Sequence, residues 1–193
     1  MVTIQIIGPI VSDSDIKGYQ KNNMTATSPS TVKLPTTAQP IKVVINSTGG
    51  DMFAGSEIYS MLKMYQGHVT VEIVGIAGSI ASVIAMAGDK VRISPTAQIM
   101  IHEASTATRG NKAQHLHTIN ILDKINNSII NAYQLKTKKS RVELSNMMKK
   151  ETWLTAQQAK AHKFVDEIMF ENQSRQKQRK NKQGLEGFFF RKK

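Results

Sequence analysis

The chain contains no cysteine, and this absence removes several classes of chemistry at once. Without a thiol, its 193 residues hold no disulfide framework, no thiolate zinc site and no cysteine nucleophile. Uninterrupted apolar runs are also short, well below the roughly 20 residues of a membrane-spanning helix. The first residues, MVTIQIIG, lack the basic start and the small-residue cleavage site of a signal peptide. The sequence therefore predicts a cytoplasmic protein without a membrane segment.

Acidic residues are also scarce. Lysine and arginine number 26 against 14 aspartates and glutamates, so the formal net charge is +12. Residues 171–193 contain eight basic and two acidic side chains, and this surplus of 8 − 2 = +6 is half of the total. The segment has no apolar periodicity, which predicts a disordered tail after a folded domain of residues 1–170. Two interpretations stay open, a solvated tail or a contact with an acidic partner or nucleic acid.

Between residue 2 and about residue 170, short β-rich runs alternate with helical periodicity, a pattern typical of an α/β protein. The run IKVVIN predicts a strand covered on both faces. The region 10–40 is weakly patterned, because Pro35 and Pro40 keep any helix there short. Strands are predicted at 2–7, 41–46, 69–75, 91–94 and 98–102, and helices at 53–65, 79–88, 112–135 and after the capping residues Ser140 and Thr155.

Two adjacent glycines directly follow the second predicted strand, in NSTGGD at 46–51. Because glycine has no side chain, the backbone there can approach a ligand closely and aim free N–H groups at it. The run lacks the Lys and Ser/Thr spacing of a phosphate-binding P-loop, so neither a nucleotide nor any other cofactor or metal is predicted. A plain turn is the alternative interpretation.

The following strand ends in GIAGSIAS at 75–82, with Ser79 at the start of a small-residue helix. A serine at such a turn is exposed near a helix N-terminus, much as in a nucleophile elbow, although the run does not match G-x-S-x-G. The alternative is a serine that only caps the helix.

A histidine, His102, ends the last strand of this region in the run IMIH. An imidazole in that place can meet a serine at the end of a neighbouring strand and take its proton. Taken alone, His102 is better explained as a surface histidine. The order of the three features along the chain, more than any one of them, favours an active site.

Four runs in one order, VINSTGGDMFAGSEIYSMLK, GIAGSIASVIAMAGD, IMIH and ETWLTAQQAKAHKFVDEI, resemble the ClpP serine-protease family. The similarity covers residues 2–170 and is greatest to its phage branch, the head maturation (prohead) proteases. It implies an α/β, ClpP/crotonase-like fold with repeated β-β-α units and a protruding handle helix at 112–135, adjoined by a strand at 104–110. It also implies a homo-oligomeric ring, which in this family can pair into a double ring.

The resemblance also assigns roles to individual residues. Ser79 is expected to be the nucleophile and His102 the general base, with the N–H groups of Gly50 and Ile80 forming the oxyanion hole. Glu151 stands where the family has its catalytic aspartate. Glutamate can also orient an imidazole, although its side chain is one methylene longer and its backbone must lie farther away. The alternative is a solvent-exposed glutamate beside two lysines.

A peptide substrate is expected to pair with the backbone near the two glycines, as an added β-strand. The residues expected to bind it are Gly49, Gly50, Asp51 and Met52.

The function predicted from these features is ATP-independent serine endopeptidase activity on phage capsid or scaffold proteins. An AAA+ unfoldase partner is not expected, because the chain enters its first strand at residue 2, without the preceding segment that forms docking loops in the family. One alternative is an unfoldase-dependent degradative peptidase. Another is a crotonase-like acyl-CoA enzyme, whose oxyanion hole needs no Ser–His pair. The last is an inactive ring that binds acidic partners or nucleic acid through its basic tail.

Overall fold

The computed structural model describes residues 1–171, so nearly all of the predicted basic tail lies outside the described residues. Seven strands and six helices alternate in this part of the chain, together with a 3₁₀ turn at Pro29–Thr31. The strands are β1 (Val2–Ile7), β2 (Ile41–Ser47), β3 (Val69–Gly78), β4 (Lys90–Ile93), β5 (Gln98–Ile101), β6 (Thr152–Thr155) and β7 (Glu167–Ile168). The helices are α1 (Ile16–Lys21), α2 (Met52–Met64), α3 (Ile80–Ala85), α4 (Lys112–Thr137), α5 (Arg141–Lys149) and α6 (Ala156–Ala161).

The long strand β3 organises the sheet because it has two different neighbours on one side. Its first half pairs with β4 and its second half with β5, both in parallel, within the order β1-β2-β3-β4-β7. The short strand β6 pairs antiparallel with β5. The predicted α/β fold of ClpP type is confirmed, and the split of β3 brings the ends of β3 and β5 and the start of β6 together.

Within residues 1–171 the sheet is covered on one face only, so the prediction of a strand buried on both faces is wrong. Ile41, Val43 and Ile45 of β2 are fully buried, whereas the residues between them are partly exposed. The opposite face carries charged pairs, such as Arg92 Nη1 with Glu72 Oε1 at 2.9 Å. Alternating burial of this kind is the pattern of a sheet with a single packed face.

Helix ends follow the predicted capping residues. Thr155 and Gln158 form a complete capping box at the start of α6. Ser140 Oγ accepts a hydrogen bond from Glu143 N–H at the start of α5, while the Glu143 carboxylate accepts one from Lys139 Nζ instead of returning to the cap. Local sequence therefore determines where these two helices begin.

Several elements differ from the prediction, and β6 and β7 are not among the predicted strands. Helix α1 lies in the weakly patterned region, and α3 is shorter than the predicted helix 79–88. The strand expected at 104–110 is not formed, because no described strand lies beside this segment to pair with it. Instead, Ala104 N–H donates to Asn126 Oδ1 of α4 at 2.8 Å. Among residues 1–171, no helix has both the length and the hydropathy needed to span a bilayer.

Candidate active site

The chain makes a strained turn at Ser79, between the end of β3 and the start of α3. Its φ of 51° and ψ of −127° lie in a region that residues other than glycine rarely occupy. Ser79 N–H donates to Met100 C=O at 2.8 Å, which ties the turn to β5. The Ser79 side chain makes no capping hydrogen bond to α3, so the turn directs the hydroxyl group elsewhere.

The Ser79 hydroxyl meets an imidazole. Its Oγ lies 2.8 Å from His102 Nε2, and both side chains are partly buried. His102 directly follows β5, the strand that pairs with the second half of β3, and this explains how residues 23 positions apart come into contact. With the ring proton on Nδ1, Nε2 is an acceptor and can remove the hydroxyl proton.

The first of the two glycines, Gly49, packs directly against this turn. A Cβ built on Gly49 would lie 2.7 Å from Ser79 Cβ and 3.2 Å from Ile80 N. Within residues 1–171, neither the Gly50 N–H nor the Ile80 N–H donates a hydrogen bond to another group. The two segments that meet at this turn therefore each carry an unpaired backbone donor, and an oxyanion hole requires such donors.

Backbone pairing with Ile10 holds the glycine loop in place. Ile10 N–H donates to Gly49 C=O at 2.9 Å, and Ile10 C=O accepts from Asp51 N–H at 2.8 Å. Gly50 has a φ of +148°, and a Cβ there would lie 2.1 Å from the Ile10 carbonyl oxygen. Sequence reasoning missed this contact, because Ile10 stands 40 residues away in the weakly patterned region.

An open cleft of about 430 Å³ adjoins the glycines, between the start of α2 and the segment 104–108. Gly50, Asp51 and Met52 line it, whereas Gly49 is buried behind them. The Asp51 carboxylate caps α2 by accepting from Ala54 N–H at 2.7 Å, and Met52 already belongs to that helix. Of the residues expected to pair with a peptide, Gly50 lines the cleft, precedes α2 and has an unpaired N–H.

The position of Glu151 relative to His102 follows from the pairing of two strands. In the pairing of β5 with β6, Ile101 faces Thr152, so the next positions outward are His102 and Glu151. The Glu151 backbone turns away with a φ of 46°, and its carboxylate accepts from Trp153 Nε1 at 3.3 Å. No hydrogen bond joins Glu151 to His102 among the described residues.

Comparisons with known proteins agree with this geometry. The family model described as Clp protease matches residues 10–172. ATP-dependent Clp protease proteolytic subunit 1 of Chlamydia abortus is 33% identical over 144 residues, which cover 72% of this chain and 74% of the relative. ATP-dependent Clp protease proteolytic subunit of Deinococcus radiodurans is 29% identical over 133 residues, or 68% of this chain and 65% of the relative.

Proposed function

The chain belongs to the Clp protease family, and we propose that it is a serine endopeptidase with Ser79 as its nucleophile. The observation that carries this assignment is the 2.8 Å distance between Ser79 Oγ and His102 Nε2 at a strained turn. Serine is a weak nucleophile until a neighbouring base takes its proton, and His102 is placed to do so. A crotonase-like acyl-CoA enzyme needs no such pair.

The proposed reaction proceeds in two stages. Ser79 Oγ attacks the scissile carbonyl carbon while His102 Nε2 takes the hydroxyl proton, and the resulting oxyanion accepts hydrogen bonds from Gly50 N–H and Ile80 N–H. The C–N bond then breaks, and the imidazolium returns the proton to the leaving amine. Water, deprotonated by His102, attacks the acyl-Ser79 ester and releases the carboxylic acid product with a free Ser79 hydroxyl group.

We assign the third member of the triad to Glu151. Two observations support this choice: its register opposite His102 and the exposure of its carboxylate, which can rotate from Trp153 toward the imidazole. A carboxylate there would hold the imidazole in the reactive tautomer and stabilise its positive charge. Glu103 is the carboxylate next to His102 in the sequence, but it is not expected to orient the imidazole. Successive side chains of an extended segment point to opposite sides, so Glu103 serves as the comparison for Glu151.

The substrate-binding cleft suits an extended peptide. Gly50 offers a free N–H for main-chain pairing, and the opposite wall supplies apolar side chains from α4, namely Ile121, Leu122 and Ile125. Main-chain pairing gives affinity with little demand on sequence, while an apolar pocket selects side chains. The cleft therefore favours cleavage beside an apolar residue.

Covalent labelling tests the nucleophile directly. Incubation with a fluorophosphonate is expected to add one adduct mass per chain, mapped to Ser79, with no adduct in Ser79→Ala and almost none in His102→Ala. The Glu151→Gln variant should be labelled more slowly, and Glu103→Gln at the wild-type rate. Absence of an adduct on folded, assembled wild-type protein would refute the assignment and support an inactive ring that only binds partners.

The natural substrate is a separate question with two candidates. We propose ATP-independent processing of phage capsid or scaffold proteins by a homo-oligomeric ring, on the resemblance of the four motifs to head maturation proteases. The second candidate is degradation with an AAA+ unfoldase, which the names of the relatives as ATP-dependent subunits favour.

Activity of the purified chain alone separates these candidates. For processing, we expect discrete fragments from a protein substrate without ATP or any other protein, and loss of these fragments in Ser79→Ala. For unfoldase-dependent degradation, the chain alone would cleave short peptides but leave a folded protein intact. The second result would refute the processing proposal while preserving the peptidase.

We further propose that residues 1–170 form the protease domain and that 171–193 are a separate basic segment. The family match, which ends at residue 172, supports this division. With a charge of +6 in 23 residues, the segment suits an acidic partner or nucleic acid.

A further inference from the structure

Two buried hydroxyl groups lie behind the candidate nucleophile, and the reaction outlined above does not use them. Ser82 Oγ of α3 donates to Ser79 C=O at 2.6 Å and lies 2.7 Å from Tyr133 Oη of α4. Both side chains are almost completely buried, Ser82 at 0% and Tyr133 at 1% exposure. Buried hydroxyl groups without a partner are destabilising, so this chain of hydrogen bonds is a defined structural feature.

The direction of the hydrogen bonds follows from the number of protons. A serine hydroxyl has one proton, and Ser82 uses it on Ser79 C=O, so Tyr133 must donate to Ser82 Oγ. Burial raises the pKa of the Tyr133 phenol well above its ordinary range, which keeps this donor protonated. Such a chain polarises each hydroxyl group in turn and strengthens the bond to Ser79 C=O.

The accepting carbonyl belongs to the peptide that also carries a proposed oxyanion-hole donor. The Ser79–Ile80 peptide is planar and trans, so its C=O and its N–H point in opposite directions. Holding Ser79 C=O toward Ser82 therefore aims Ile80 N–H in the opposite direction, away from α3. The strained φ of Ser79 makes such an external restraint necessary, because this backbone conformation is costly by itself.

We infer that Ser82 and Tyr133 are positioning residues that hold the Ser79–Ile80 peptide in the orientation needed to stabilise the oxyanion. This inference rests on the proposed function of Ser79 and Ile80. It also links the site to α4, whose Tyr133 ring packs edge-on against Phe164 with centroids 5.5 Å apart. Displacement of α4 would act on the oxyanion hole through this one phenol group.

Kinetics of Ser82→Ala and Tyr133→Phe test the inference. In Ser82→Ala we expect kcat/KM per labelled site to fall about tenfold, less than the 10²–10³-fold of a lost oxyanion-hole donor, because Ser82 N–H still donates to Ser79 C=O. Tyr133→Phe should cause a smaller loss, and the double variant should lose no more than Ser82→Ala, since Tyr133 acts only through Ser82. KM should stay unchanged.

Affinity for a peptide aldehyde distinguishes a positioning role from a purely structural one. The aldehyde forms a hemiacetal with Ser79 and places an oxygen in the oxyanion hole, so its inhibition constant should rise by the same factor as kcat/KM falls. The pH profile of kcat/KM should keep its wild-type midpoints, because neither variant touches the general base. An unchanged aldehyde affinity in Ser82→Ala would overturn the inference.

Thr137→Val is the matched control. This buried hydroxyl group lies on α4 as well and donates to Tyr133 C=O at 2.8 Å, but it makes no contact with Ser79. We expect kcat/KM and aldehyde affinity of Thr137→Val to stay at wild-type values. A loss of kcat/KM in Thr137→Val as large as that in Ser82→Ala would assign the effect to general loosening of α4 and contradict the inference. If the wild-type chain is not labelled at Ser79, the proposed function itself is refuted. If the wild type is labelled and both Ser82→Ala and Tyr133→Phe are fully active, only the positioning role is refuted.

Discussion

Replacing Ser79 by alanine is expected to lower kcat for peptide hydrolysis by about 10⁴–10⁶-fold, the range seen when a triad residue of a serine protease is removed. The physical reason is that, among residues 1–171, no other hydroxyl group is hydrogen-bonded to His102, so none is activated to form the acyl intermediate. Substrate affinity should persist, because the cleft is lined by other residues. The measurement is the initial rate of cleavage of a fluorogenic peptide at saturating concentration.

The double variant Ser79→Ala/His102→Ala makes this prediction sharper. Because the two residues act in one proton transfer, the double variant should be no slower than either single variant. Additive losses would show that His102 acts independently of Ser79 and would contradict the proposed mechanism. Ser60→Ala is the matched control, since Ser60 is exposed on α2 and bonds only to the backbone of its own helix.

Replacing Gly50 by alanine is expected to cause the second-largest loss, about 10²–10³-fold in kcat/KM, because it displaces an oxyanion-hole donor. The added Cβ would lie 2.1 Å from Ile10 C=O, at a φ of +148° that L side chains rarely adopt. Relief of this clash must move either Gly50 or Ile10, and both movements rotate the Gly50 N–H. We also expect the free energy of unfolding to fall by about 1–3 kcal/mol from backbone strain.

Gly18→Ala provides the contrast for this variant. A Cβ on Gly18 meets nothing within 4 Å, and the residue lies inside α1. Alanine is a better helix former, so we expect an equal or slightly higher melting temperature and unchanged kcat/KM. Measurement of both quantities for the two variants separates active-site geometry from a general effect of the added methyl group. Full activity in Gly50→Ala would exclude Gly50 N–H from the oxyanion hole.

Much of the site could be predicted from short runs of sequence. Ser79 follows β3 and His102 follows β5, and both strands have an apolar pattern in the sequence. The ends of neighbouring parallel strands meet at one edge of a sheet. The helix start at residue 112 and the caps of α5 and α6 were also predictable, since capping depends on side chains only three positions apart.

Other parts of the site depend on contacts that no local pattern marks. The strand expected at 104–110 from the family resemblance has no described partner, and a strand is stable in a sheet only when it is paired. Glu151 fits its motif, yet its backbone leaves the strand at that residue and its carboxylate contacts Trp153. In both cases the local sequence is compatible with more than one arrangement.

The sequence by itself determined the family, most of the strands and helices and the candidate nucleophile and base, because periodicity and motif spacing are properties of neighbouring residues. Only the tertiary structure decided how these parts become a site. The pairing of Ile10 with the glycine loop joins residues 40 positions apart, and the hydrogen bond of Ser82 with Tyr133 joins residues 51 positions apart. Contacts of this range form only when the sheet and α4 pack around one core, and packing is a property of the whole chain.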